Sequence, residues 1–143
     1  MANKQEKYRN NENKEENKAT NALKIVADTS VIIEGLVSKK IEAGEIRPKT
    51  LIIHEAVLAE LENQANQGKE TGYLGIDEVK KLREISKRYG FTIEYKGRRP
   101  EESEIKRARA GEIDSLIRDL ASLENATLMT ADHVQALIAE SKG

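Results

Sequence analysis

The chain has 143 residues, no cysteine and no tryptophan, and its net charge is only −1 although 34% of its residues are charged. This length fits one domain of roughly 100–200 residues. The lack of cysteine excludes a disulfide framework, a thiolate nucleophile and a cysteine zinc site. With 3% aromatic residues, the chain is poorly suited to stacking bases on aromatic platforms. No apolar run approaches the ~20 residues that span a bilayer, so we expect a cytoplasmic protein with no membrane partner.

The first 21 residues differ in composition from the rest of the chain. They are polar, mixed in charge and almost free of apolar side chains. Such a segment cannot offset the entropy of ordering. We therefore expect a disordered arm at 1–21 and a single folded domain at 22–143.

From residue 23 onwards, short apolar runs alternate with stretches of helical spacing. Gly44, Gly68 and Gly90 follow three of those stretches and are typical helix stops. The predicted strands are 23–27, 50–53, 91–95 and 126–129, and the predicted helices are 31–43, 55–67, 76–89, 101–110, 112–123 and 131–140. Strands separated by helices imply right-handed crossovers and a parallel sheet. The pattern therefore predicts an α/β fold, a three-layer α/β/α sandwich around a parallel sheet of four or five strands.

Four acidic residues occupy positions that would converge in such a fold. Asp28 follows the first strand and Asp132 follows the last, and the carboxyl ends of parallel strands meet at one edge of a sheet. Glu60 and Asp114 each lie beside the apolar stripe of a predicted helix. Taken singly, an Asp at a strand end is commonly a helix cap, and a helical acid is commonly solvated. The joint pattern indicates a cation site.

The available donors favour a hard cation. Carboxylates are the ligands that Mg²⁺ and Mn²⁺ prefer, whereas zinc sites usually draw on Cys and His. Such a cation activates water and stabilises the charge on an attacked phosphodiester. The hydroxyls of Ser30 and Thr130, next in sequence to Asp28 and Asp132, are assigned supporting roles.

At these residues the sequence resembles the PIN-domain nucleases. The resemblance rests on IVADTS at 25–30, LAELE at 58–62, GEIDSLI at 111–117 and LMTAD at 128–132, in that order. It implies a PIN-like fold and cleavage of single-stranded nucleic acid, RNA in preference to DNA, with Mg²⁺ or Mn²⁺. The resemblance assigns the metal-binding acidic positions to Asp28, Glu60, Asp114 and Asp132, and it implies frequent dimers.

Within that family the run HEAVLAELENQANQG at 54–68 resembles the amino-terminal domain of archaeal PIN-domain ATPases. Those proteins carry an ATPase domain, often followed by a KH-like domain. The present sequence contains no Gly-x-x-x-x-Gly-Lys-Ser/Thr phosphate loop. The resemblance therefore implies a fragment of a larger ATPase, with the motor in cis and a hexamer in the full-length protein.

Basic residues are the candidates for binding phosphates. They are Lys39, Lys40, Arg98 and Arg99, with a further group at Lys106, Arg107 and Arg109. Solvated helix and loop surfaces explain such residues equally well. His54 is expected to pack or to cap a helix, because two-metal hydrolysis needs no protein histidine.

Two functions remain open at this point. The first is a metal-dependent nuclease domain. The second is a non-catalytic docking or oligomerisation module of a larger ATPase, in which the acids form a cation site that rigidifies the sheet edge. A phospho-acceptor receiver domain shares the parallel sheet, but the paired acids that it carries after its first strand are missing here.

Overall fold

The computed structural model describes residues 23–108 and 111–131. The strands are β1 (Lys24–Ala27), β2 (Thr50–His54), β3 (Thr92–Lys96) and β4 (Thr127–Met129). The helices are α1 (Thr29–Ile33), α2 (Leu36–Glu42), α3 (Glu55–Asn66), α4 (Glu70–Tyr89), α5 (Glu102–Arg107) and α6 (Glu112–Leu123). The predicted arm at 1–21 and positions 132–140 of the predicted last helix lie outside these residues. Among the described helices, none has both the length and the apolar character required to cross a bilayer.

The four described strands form one parallel sheet in the order β3-β2-β1-β4. In its register Ile25 pairs with Leu51, and Val26 pairs with Leu128. The two central strands are almost completely buried, because helices cover both faces of a parallel sheet. The predicted α/β sandwich with a parallel sheet is confirmed.

The strand order determines where a site can form. The chain steps from β1 to β2 to β3 in one direction, so right-handed crossovers place α1 to α4 on one face. It then returns past β1 to β4, which places α6 on the other face, where α6 contacts β1, β2 and β4. The direction reverses at β1. Open α/β sheets bind ligands beyond the carboxyl ends of the strands at such a switch point.

Two predicted helices have different bounds in the structure. The predicted helix at 31–43 is split into α1 and α2 at Gly35, whose φ of +68° is a left-handed conformation that glycine adopts without strain. The start of α2 is capped from a distant helix. Buried Glu78 of α4 accepts hydrogen bonds from the Ser38 N–H at 2.9 Å and the Ser38 hydroxyl at 2.6 Å.

The second difference is the start of α4, which begins at Glu70 and not near residue 76. Its first turns contain Gly72 and Gly75, which usually weaken a helix. Here they allow α3 and α4 to approach closely. A Cβ on Gly72 would lie 2.2 Å from the backbone nitrogen of Ala65, and one on Gly75 would lie 2.3 Å from Leu61 Cδ2.

Candidate functional site

Asp28 lies at the carboxyl end of β1, where the direction of the sheet reverses, and its exposed fraction is 4%. Its backbone N–H donates to the Met129 carbonyl at 3.0 Å, which continues the β1–β4 pairing. Its Oδ1 accepts from the Ser30 hydroxyl at 2.7 Å and from the Val31 N–H at 3.0 Å. Asp28 is therefore the N-cap of α1 and is also held rigidly at the sheet edge.

Ser30 connects the end of β1 to the segment after β4. Its hydroxyl donates to Asp28 and accepts from the Ala131 N–H at 3.2 Å. Thr130 lies in that segment, between Met129 and Ala131, and is half-buried. The two predicted hydroxyl positions are thus at the same edge as Asp28. Asp132 lies beyond the described residues.

Glu60 projects from α3 to the same edge. Thr29 Oγ1 donates to its Oε2 at 3.2 Å, and Gln64 Nε2 donates to its Oε1 at 3.3 Å. Gln64 is held in turn by Thr71 of α4, whose hydroxyl donates to Gln64 Oε1 at 2.6 Å. Each carboxylate oxygen of Glu60 therefore has its own donor, and those donors come from different elements.

Burial raises the pKa of Glu60, and the negative charge of Asp114 raises it further, while the hydrogen bond from Thr29 opposes both effects. The charge of Asp114 therefore reaches Glu60 although the two acids come from α6 and α3. Burial and a neighbouring negative charge both disfavour the ionised form of a carboxylate. A divalent cation bound by the two carboxylates would favour the ionised form instead.

Glu60 and Asp114 both line a cleft of about 460 Å³, which we call the acidic cleft. Thr29, Glu60 and Asp114 form one part of its wall. The rest of the wall includes two carboxamides of α3, a third at its C-cap and two lysines, namely Asn63, Gln64, Gln67, Lys69 and Lys106. Sequence reasoning singled out none of the carboxamides. The available signal was their helical spacing from Glu60, at three, four and seven positions further along one face.

The donor set of this edge fits a hard divalent cation, because it consists of carboxylate and hydroxyl oxygens. The structure brings Glu60 and Asp114 into the acidic cleft, and Asp28 lies beside them, next to Thr29. Within residues 23–108 and 111–131, no three His, Asp or Glu side chains converge closely enough to enclose an ion by themselves. Glu60 and Asp114 are thus the two described acids that line this cleft together.

Arg98 and Arg99 follow β3, so they lie at the same edge of the sheet, but both are paired with acids. Arg98 donates twice to Glu104, at 3.0 and 2.6 Å, and this pairing lowers the pKa of Glu104 to about 2. Arg99 is ion-paired with Glu62 and, at 3.6 Å, with Glu55. Neither arginine lines the acidic cleft.

Lys39 and Lys40 are also away from the acidic cleft. They lie in the last turn of α2, which leads towards the start of β2 and so towards the opposite edge of the sheet. Lys40 forms an exposed ion pair with Glu45 at 3.1 Å.

His54 ends β2 and is the N-cap of α3, as expected for a packing or capping residue. Its Nδ1 accepts from the Ala56 N–H at 2.8 Å, and its ring contacts Gly97, where a Cβ would lie 2.4 Å from Nε2. Burial lowers the pKa of His54, and the nearby charge of Glu55 partly opposes this. The neutral ring is the form that caps the helix.

The fold and its acidic cleft define a doubly wound α/β domain with an oxygen-rich site at its switch point. The PIN domain family matches residues 25–141, and the chain belongs to that family. PIN domains are generally metal-dependent nucleases.

Two curated relatives are archaeal. The chain is 44% identical over 120 residues to an uncharacterised KH and PIN-domain containing protein of Methanocaldococcus jannaschii, covering 84% of this chain and 19% of that protein. It is 30% identical over 117 residues to the Holliday junction branch migration ATPase PINA of Sulfolobus acidocaldarius, covering 82% of this chain and 21% of that protein. The chain thus spans about a fifth of the length of these relatives.

A solved structure has the same fold. It is a domain of a functionally unknown protein from Methanocaldococcus jannaschii, with a TM-score of 0.77 and 44% sequence identity. The match covers 85% of this chain and 87% of that one.

Proposed function

We propose that this chain is a nuclease domain that hydrolyses phosphodiester bonds of single-stranded nucleic acid, RNA in preference to DNA. Asp28, Glu60, Asp114 and Asp132 bind Mg²⁺ or Mn²⁺, and Ser30 and Thr130 support them. The observation that carries the proposal is that Glu60 and Asp114 line one cleft next to Asp28, at the switch point of the sheet, where burial and the charge of Asp114 both raise the pKa of Glu60. A divalent cation held by these residues would supply an activated water for the attack and positive charge next to the phosphate.

The chain's own residues hold the acids in place. Thr29 and Gln64 each donate to one oxygen of Glu60, so its carboxylate has a fixed plane. Ser30 and the Val31 N–H fix Asp28 through one oxygen. Such pre-oriented ligands reduce the reorganisation needed when a cation and a phosphate bind.

The test is cleavage of labelled single-stranded RNA and DNA with Mn²⁺. Asp28→Asn should reduce cleavage by more than about 100-fold, because metal-site changes even outside the ligand shell cost 10–100-fold. Asn caps helices as well as Asp does, so this variant should keep its fold. Asp77→Asn, an exposed acid of α4, is the matched control and should cleave like the wild type. Cleavage that survives Asp28→Asn would refute the assignment.

A non-catalytic module remains the second candidate, and the ion pairs of Arg98 and Arg99 favour its oligomerisation form. In those pairs, two of the arginines proposed for phosphate binding are already held by acidic side chains. In this reading the domain docks nucleic acid or assembles subunits of a longer protein with an ATPase domain in cis, as a dimer or a hexamer. Mn²⁺ binding without cleavage of single-stranded RNA, single-stranded DNA or four-way junction DNA would support this second candidate.

A further inference from the structure

The acidic cleft extends past the acids along α3, over a face that carries carboxamides. Asn63, Gln64 and Gln67 follow Glu60 on one side of the helix, and all three line the cleft. Gln64 is engaged between Glu60 and Thr71. The carboxamides of Asn63 and Gln67 make no hydrogen bond to any of the residues that the structure describes.

A carboxamide carries a donor and an acceptor side by side. This pair matches the donor and acceptor pairs along the edge of a nucleic-acid base. A phosphate offers acceptors alone and would leave the amide oxygen without a partner. Phosphates would instead be attracted by Lys69 and Lys106, which line the same cleft. The ion pair of Lys106 with Glu102 is exposed and weak enough to yield to a phosphate.

The size of the cleft and the types of residue in its wall limit how a base could be held. About 460 Å³ is within the range of roughly 300–1,000 Å³ of pockets that take one small ligand. None of the described residues that line the cleft is aromatic. Base binding by stacking, which tolerates any sequence, is therefore not available from these residues.

We propose that Asn63 and Gln67 bind the edge of one unpaired base next to the bond that is cut, with Lys69 and Lys106 near its phosphates. This inference rests on the proposed nuclease function. It adds two consequences to that function. A nucleotide must be unpaired to present its Watson–Crick edge, and cleavage must favour particular bases at one position beside the cut.

The test is cleavage of random-sequence single-stranded RNA and DNA libraries, followed by sequencing of the new ends. The wild type should show a base preference at one position next to the cut. The double variant Asn63→Ala with Gln67→Ala should lose that preference. Asn66→Ala, on the same helix but lining the neighbouring cleft, is the matched control and should keep it. Alanine is the best helix former, so Asn63→Ala should not weaken α3. Gln67 caps the end of α3 through its backbone N–H, which Gln67→Ala keeps.

Cleavage without a base preference in the wild type, or a preference that the double variant retains, would overturn the inference and leave the nuclease function intact.

A second measurement covers the opposite case, in which the wild type does not cleave. Fluorescence anisotropy with the four single-stranded homo-oligonucleotides would then show one base bound best by the wild type. The double variant should bind it roughly ten- to a hundredfold more weakly, since it loses at least two hydrogen bonds and each lost bond weakens binding roughly three- to tenfold. Equal binding by both would refute the carboxamide site.

Discussion

Asp28 combines an observed structural role with a proposed chemical one. As an N-cap it fixes the start of α1, and as a buried carboxylate at the end of β1 it is one of the four proposed metal ligands. A change to Ala would remove both roles and would cost about 1 kcal/mol of stability through the lost cap. Asn keeps the cap and removes the charge. Asn is thus the substitution that separates the two roles.

His54 is the residue for which burial has a direct consequence for pH dependence. Its folded-state pKa lies below the ordinary value of 6.5, so the unfolded chain takes up the proton first as the pH falls. The stability contributed by the neutral cap is fully present above pH 6.5 and decreases as the pH falls from there through the folded-state pKa. We expect wild-type stability to decrease over this window.

His54→Asn should reduce that decrease, because Asn caps a helix and does not titrate. Urea denaturation at pH 7.5, 6.5, 6.0 and 5.5 checks this prediction. His133, the second histidine of the sequence, is present in both proteins and contributes equally to both. A slope against pH that is unchanged in the variant would contradict the prediction.

At the scale of elements, the close contact of α3 with α4 depends on Gly72. In an exposed helix Gly→Ala would stabilise by about 1 kcal/mol. At Gly72 the new Cβ would meet the backbone of Ala65, which cannot rotate away. We expect Gly72→Ala to lower the free energy of unfolding by about 1–3 kcal/mol, as overpacking does. Because Thr71 precedes Gly72 and holds Gln64, the variant should also weaken Mn²⁺ binding.

Chemical denaturation and an Mn²⁺ titration measure the two effects. Asp77→Ala, an exposed change on the same helix, should leave stability within about 0.5 kcal/mol of the wild type. A stabilised Gly72→Ala protein would show that the two helices can move apart without cost.

The elements also show how far the sequence could predict the structure. The strands followed from short apolar runs, and the position of Asp28 followed from a strand end. The break at Gly35 did not follow, because the apolar pattern continues across it and the cap on α2 comes from Glu78, 40 residues away. The first turns of α4 were not predicted, because glycines such as Gly72 and Gly75 are more typical of loops than of helices. Their reason for being in a helix is the close approach of α3, which the sequence does not show.

For the site, local pattern predicted which acids border the core, but not the partners of the surrounding charges. Arg98 and Arg99 are basic in sequence, yet their pairing depends on where α3 and α5 present Glu62 and Glu104. The roles of Gln64 and Thr71 likewise depend on the α3–α4 contact. Such contacts arise from tertiary packing, and helical spacing alone cannot identify them.

At the scale of the whole molecule, a bound cation would stabilise the entire domain, because its proposed ligands come from different elements. A ligand that binds only the folded state adds about 2.7 kcal/mol at 100 times its Kd. For a domain of this size we expect Mn²⁺ to raise Tm by on the order of 10 °C. Differential scanning fluorimetry with and without Mn²⁺ measures this.

Glu60→Gln is the matched variant and should lose most of that rise. Without the cation at neutral pH it should be at least as stable as the wild type. Burial raises the pKa of Glu60, so its ionised form costs stability as the pH rises above 4.5, and Gln avoids that cost. A full Mn²⁺ response in Glu60→Gln would remove Glu60 from the site.

The pairing of β1 with β4 has a consequence for synthesis. β1 is the first described strand to leave the ribosome and β4 is the last, yet the two are neighbours in the sheet. The Ser30 hydroxyl also accepts a hydrogen bond from Ala131, in the segment after β4. Asp28 and Glu60 therefore emerge long before Asp114 and before the strand that completes the edge. A growing chain would lack the assembled cleft while it is still close to its own messenger RNA.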